Sequence, residues 1–163
     1  MNNPLLIKST LPFSAPAFDK IENRHYIPAF KQAIEDGKTE IDAIVNNVEA
    51  PSFRNTIEAL EYSGETLGRI SHIFYNLLEA NTDEEMQNIA EEISPLTTDF
   101  SMYILLNEGL FQRIKEVYDH RNELKLDNVE MRLLEETYKS FARNGANLSP
   151  EDKAVYSKYV EEL

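Results

Sequence analysis

Apolar residues recur along this chain every three or four positions, and no stretch alternates with period two over a useful length. The pattern predicts helices. The first runs from near Asn23 towards Asn46-Asn47 with the stripe Ile27, Phe30, Ile34, Ile41, Ile44 and Val48, and Pro28 is tolerable close to its first turn. Ala50-Pro51-Ser52 breaks it. A second is predicted from about Asn55 to Ala80 on Ile57, Leu60, Leu67, Ile70, Phe74, Leu77 and Leu78. Gly64 and Gly68 lie four apart on it, which either lets another backbone approach closely or merely weakens the helix. Thr82-Asp83-Glu84-Glu85 reads as a capping box opening a third, with Met86, Ile89, Ile93, Leu96, Phe100 and Tyr103 inward and Pro95 expected to kink or split it.

Asn107-Glu108-Gly109 turns the chain into a shorter helix carrying Leu110, Phe111, Ile114, Val117 and Tyr118. Asp127-Asn128-Val129-Glu130 opens the next, with Leu133, Leu134, Tyr138 and Phe141 inward and Asn144-Gly145 as its stop. Ser149-Pro150-Glu151-Asp152 starts the last one: a serine cap, proline at the first helical position and acids in the first turn. Its stripe of Tyr156, Tyr159, Val160 and Leu163 is still running at the last residue. Glu161, Glu162 and the terminal carboxylate put negative charge where the dipole disfavours it, so a cut-off continuation is the simpler expectation. The fold class is therefore all-α, about six helices, which long helices with short turns arrange as antiparallel hairpins. Residues 1–22 differ: Pro4, Pro12 and Pro16 with Phe13 and Phe18 predict an extended arm with apolar anchors, and 23–163 form a helical domain truncated at its C-terminus. No fixed-period repeat is visible. Tyr62, Phe74 and Tyr75 spread aromatic rings over a wide arc, read as a thick helical core; the sharper alternative is a face waiting for a partner domain.

With 163 residues, 42% hydrophobic and 28% charged, the chain can bury a sizeable core. Its net charge of −13 and lack of any basic run argue against a nucleic-acid partner. The acidic pairs Glu84-Glu85, Glu91-Glu92 and Glu135-Glu136 read as solvated helix faces, because an oxygen-ligand site needs several convergent ligands at short loop spacing. The absence of cysteine excludes disulfides, thiolate catalysis and cysteine-type metal sites. Met1-Asn2-Asn3-Pro4 lacks the basic-then-apolar build of a signal peptide, and no stretch is long and apolar enough for a bilayer. The expected location is the cytoplasm, or the periplasm if an export signal was trimmed before Met1.

Candidate chemistry is sparse. His25, His72 and His120 have no second histidine within one or two helical turns, so the helical zinc pair His-Glu-x-x-His is absent. His120, next to Arg121 near a helix end, reads as a dipole partner. Ser63-Gly64, placed mid-helix, is out of place for a nucleophile elbow, and the five scattered glycines assemble no phosphate-cradling loop. Carboxylate pairs among 29 acids carry no acid–base message without a desolvating cleft. The residues thus nominate no catalytic, cofactor-binding or metal-ligating side chain.

Particular blocks carry more. Leu11-Pro12-Phe13, Ala15-Pro16-Ala17-Phe18-Asp19-Lys20-Ile21 and His25-Tyr26-Ile27-Pro28-Ala29-Phe30 open the run. Ile41-Asp42-Ala43-Ile44-Val45-Asn46-Asn47 follows, then Pro51-Ser52-Phe53-Arg54-Asn55-Thr56-Ile57-Glu58-Ala59-Leu60-Glu61. Phe74-Tyr75-Asn76-Leu77, Ala80-Asn81-Thr82 and Asn144-Gly145-Ala146-Asn147-Leu148-Ser149 complete it. In order and over essentially the whole chain, they resemble the opening of bacterial peptidyl-dipeptidases, of the thimet-oligopeptidase-like zinc peptidases. The resemblance implies a parent several times longer, a helical clamshell around a deep channel that removes C-terminal dipeptides from short peptides. Its catalytic half would carry His-Glu-x-x-His and a further glutamate on zinc. That motif is missing here, so no catalytic or zinc-binding residue transfers to this sequence. What the resemblance leaves for this chain is the N-terminal wall and lid of the channel, with Phe13 and Phe18 packed on neighbouring helices. Its partners would be the catalytic half of the same polypeptide and short peptide substrates. The alternative is a free-standing helical module that binds peptides or a partner protein.

Overall fold

Polar caps set the helix boundaries in a computed structural model that describes residues 3–161. Among those residues there is no strand. The helices are α1 (Tyr26–Val45), α2 (Ala59–Tyr62), α3 (Glu65–Ala80), α4 (Glu84–Leu105), α5 (Glu108–Asp119), α6 (Asn128–Arg143) and α7 (Pro150–Glu161). α2 is a single turn that continues a π-helical stretch, Phe53–Glu58. Packing divides the chain into two units, one of Met1–Lys38 and Gly64–Thr97, the other of Thr39–Ser63 and Thr98–Leu163.

In the first unit Tyr26, Ala29, Phe30 and Ala33 of α1 meet Ile70, Ile73 and Phe74 of α3 and Met86, Ile89 and Ile93 of α4. The rings of Tyr26 and Phe30 approach Phe74 edge-on, at 4.8 and 5.9 Å between centroids, the geometry that ring quadrupoles favour. Burial pushes the Tyr26 phenol above its ordinary pKa. Asn23, in the turn that leads into α1, donates to Glu85, and Lys31 of α1 pairs with Glu92, so the start of α1 runs parallel to the start of α4. The N-terminal arm is a series of 3-10 turns at Pro4–Leu6, Pro12–Ser14, Phe18–Lys20 and Asn23–His25. Its anchor is Leu5, buried in the core, and not the expected phenylalanines: Phe13 is fully exposed and Phe18 half so. The physical reason is local. Phe13 and Ser14 sit at φ 59° and 56°, a left-handed corner that turns the Phe13 ring outward.

In the second unit Ile41 and Ile44 of α1, Ile57, four residues of α5 and Leu134 and Phe141 of α6 close a separate core with Ala146. The ring pairs Phe111–Phe141 and Tyr118–Tyr138 run in opposite senses along α5 and α6, which makes them an antiparallel hairpin. Asp127 caps α6 through a full capping box with Glu130. At its far end Gly145 takes φ 90° and the Ala146 N–H reaches back to the Phe141 carbonyl at 3.1 Å, a Schellman closure. Ser149 caps α7 by accepting from the Asp152 N–H. Leu163 and Glu162, on which the expectation of an unfinished stripe rests in part, lie outside the described residues, as do Met1 and Asn2.

Several expectations meet the structure differently. The second helix is interrupted: Ser63 is extended and Gly64 left-handed at φ 71°, so α2 and α3 are distinct. Space around Gly64 and Gly68 is open, so neither admits a close backbone. The acceptor that caps α4 is Asp83, whose Oδ1 receives the Met86 N–H at 2.7 Å, and Thr82 stands one residue too early for the box. Of the kink or split expected at Pro95, the split does not occur, since α4 runs through it as one helix. Glu91 and Pro95 are both exposed, so the carbonyl left without an N–H partner can be hydrated. Finally Val48, expected on the α1 stripe, lies beyond its end and is fully exposed.

Candidate functional site

Buried polar chemistry gathers at one node in the second unit. Arg113 on α5 donates from Nη1 to the carbonyls of Asn47 (3.0 Å) and Glu49 (3.3 Å) and from Nη2 to Asn55 Oδ1 (3.1 Å). The same Oδ1 accepts the Ser52 N–H at 2.8 Å and the Thr56 hydroxyl at 3.0 Å, while Asn55 Nδ2 donates to the Ala50 carbonyl. Ser52 Oγ accepts the Asn55 N–H, completing a reciprocal cap for the π-helical turn. Arg113 is buried, and its Nε has no partner among the described residues. A guanidinium stays charged and offers only donors, so the node can hold a loop but cannot move a proton. It ties residues 47–55 to α5. The block Pro51–Ile57, which carries much of the family resemblance, thereby has a structural job. Its Thr56 and Ile57 are buried beneath the turn.

Sequence reasoning missed Arg113. The signal was present: it falls three residues after Leu110 and four before Val117, a charge on the apolar face of α5. A second buried cation, Lys153, pairs with the exposed Glu108 at 3.0 Å.

The three histidines occupy separate places. His25 Nδ1 accepts the Glu22 N–H at 3.0 Å within the cap that precedes α1. His72 is exposed on α3. His120 ends α5, and its Nδ1–H donates to the Glu116 carbonyl at 2.9 Å, the dipole partnership expected of it. That hydrogen bond, with the negative charge of Glu123 and lesser help from Glu116 and Asp119, raises its pKa above the ordinary histidine value. The acidic pairs lie on helix faces: Glu92 pairs with Lys31, and Glu135 and Glu136 with Lys139. Among the described residues no three His, Asp or Glu side chains gather as a metal would require. The described residues thus supply no donor set for the zinc implied by the resemblance, and no step through it is derived from them. No helix among the described residues is long and apolar enough to cross a membrane.

No family model matches the chain. Over 152 residues, 93% of its length, it is 42% identical to the dipeptidyl carboxypeptidase of Salmonella typhimurium and to that of Escherichia coli. It is 24% identical over 163 residues to the oligopeptidase A of Salmonella typhimurium. Over nearly its whole length the chain is thus similar to part of these peptidases. It spans 22% of the length of each dipeptidyl carboxypeptidase and 23% of that oligopeptidase A. The node around Arg113 and Asn55 holds the loop before the π-helical turn against α5.

Proposed function

We propose that this chain is the N-terminal, non-catalytic part of a cytoplasmic zinc peptidase that removes C-terminal dipeptides from short peptides, and that it forms wall and lid of the substrate channel. One observation carries the reading: likeness along nearly the whole chain, at 42% identity, to proteins of which it spans only 22%. The remainder of the polypeptide is the partner, and the zinc and the general base belong to that remainder. No catalytic, cofactor-binding or metal-ligating role is assigned to residues 1–163. The gene beyond the codon for Leu163 tests this directly. An open frame reaching His-Glu-x-x-His is expected. A stop codon there would replace this reading with a free-standing helical module that binds peptides or a partner protein. In solution, the chain alone is expected to show no thermal shift with stoichiometric zinc and no cleavage of short peptides. Cleavage abolished by a chelator would overturn the assignment.

A further inference from the structure

The first unit holds a cavity of about 280 Å³ under the N-terminal arm. That is near the lower end of ligand pockets, about 300 to 1,000 Å³, and suits a ligand the size of one or two amino acids. Its apolar lining includes Leu5 and Ile73, both buried, and Ile7 and Leu11, each about half exposed (48% and 46%) and so available for a ligand to cover. Its charged lining is Lys8, Lys20, Arg69 and Asp19, and Lys8 is already paired with Glu65 at 3.7 Å. Arg69 and Lys20 have no carboxylate partner among the described residues, and Arg69 reaches only the Ile7 carbonyl, at a long 3.4 Å. Asp19 lines the same cavity with no cationic partner among the described residues. Ser14 also lines this space and sits in the left-handed corner of the arm, a backbone conformation that needs support from its surroundings and recurs at ligand clamps.

We infer that this cavity binds a small zwitterion with a branched apolar side chain, a free amino acid or a dipeptide. Arg69 and Lys20 take its carboxylate, Asp19 takes its ammonium, and Leu5, Ile7, Leu11 and Ile73 hold the side chain. Paired charges beside an apolar wall select for both ends and the middle of such a molecule at once. The inference does not rest on the peptidase reading, since it uses only residues of the first unit.

The test is a titration of the isotope-labelled 163-residue chain with leucine and with leucyl-leucine, followed by amide NMR. Saturable shifts confined to residues 5–21 and 69–73 are expected. Binding of both probes assigns the site to amino acids, and of leucyl-leucine alone to dipeptides; either supports the inference. Leucinamide and N-acetyl-leucine, each lacking one charge, should bind about tenfold more weakly, as should Arg69→Gln and Lys20→Gln variants. Both substitutions are on residues outside the core, and an unchanged far-ultraviolet spectrum checks their folding. No saturable shift up to about 10 mM probe, leucinamide equal to leucine, or full affinity in Arg69→Gln would each overturn it.

Discussion

At the scale of single residues, Arg113 decides the most. Its guanidinium satisfies two carbonyls and the Asn55 side chain in a site without a carboxylate partner among the described residues. Replacing it with methionine strands those acceptors, and a loss of about 2–4 kcal/mol in urea unfolding is expected. Arg113→Lys should recover little, because an ammonium cannot reproduce the planar fork that spans Asn47 and Asn55. Full stability in Arg113→Met would show that the node is not what fixes the loop. His120 gives a second prediction with a definite sign. Its folded-state pKa is raised, first by the Glu116 carbonyl and then by Glu123. Its contribution to stability is therefore complete below about pH 6.5 and fades as pH rises through the folded value. His120→Gln should lower stability at pH 5.5 relative to wild type and leave it nearly unchanged at pH 8, about the limits of the imidazole range.

At the scale of elements, local chemistry was the legible part. Asp127 with Glu130, Asn107, Ser149 and the Asn144-Gly145 stop all mark ends where the helices begin and finish. The break at Ser63-Gly64 was hidden because the apolar period continues across it: Ile57 and Leu60 serve one core, Leu67 and Ile70 the other. Periodicity reports which residues face inward, and is blind to a change in which core they face. The arm failed for a related reason, since composition marks Phe13 and Phe18 as anchors while a positive-φ corner settles where the first ring points. Arg113 was legible only as a misplaced charge, because its partners are backbone carbonyls some 64 or 66 positions away. Two glycines separate strain from crowding. A Cβ on Gly109 would lie 2.7 Å from Val45 Cγ1, a stiff β-branched neighbour, so Gly109→Ala should cost about 1–3 kcal/mol through overpacking. Gly64→Ala meets open space and should cost about 1–2 kcal/mol through its left-handed backbone alone. Equal stability of Gly109→Ala and wild type in chemical denaturation would mean that α5 can shift away from Val45.

At the scale of the whole molecule, a net charge of −13 on 163 residues opposes the folded state by self-repulsion. Raising salt from about 10 to 150 mM shortens the screening length from about 30 to 8 Å, so the thermal midpoint should rise. A falling midpoint would mean that attractive pairs such as Lys31–Glu92 and Lys153–Glu108 outweigh the repulsion. The stacked rings of α5 and α6 have an optical consequence. The chain has eight tyrosines and no tryptophan, so its near-ultraviolet absorption above the phenylalanine bands is all phenolic. Two of those phenols, Tyr118 and Tyr138, lie 3.9 Å apart and nearly parallel, with the Arg121 guanidinium 4.0 Å over the first. Their transition dipoles couple, giving the folded chain a circular-dichroism couplet that Tyr138→Leu should erase. A single wavelength then reports the docking of one helix hairpin without any label.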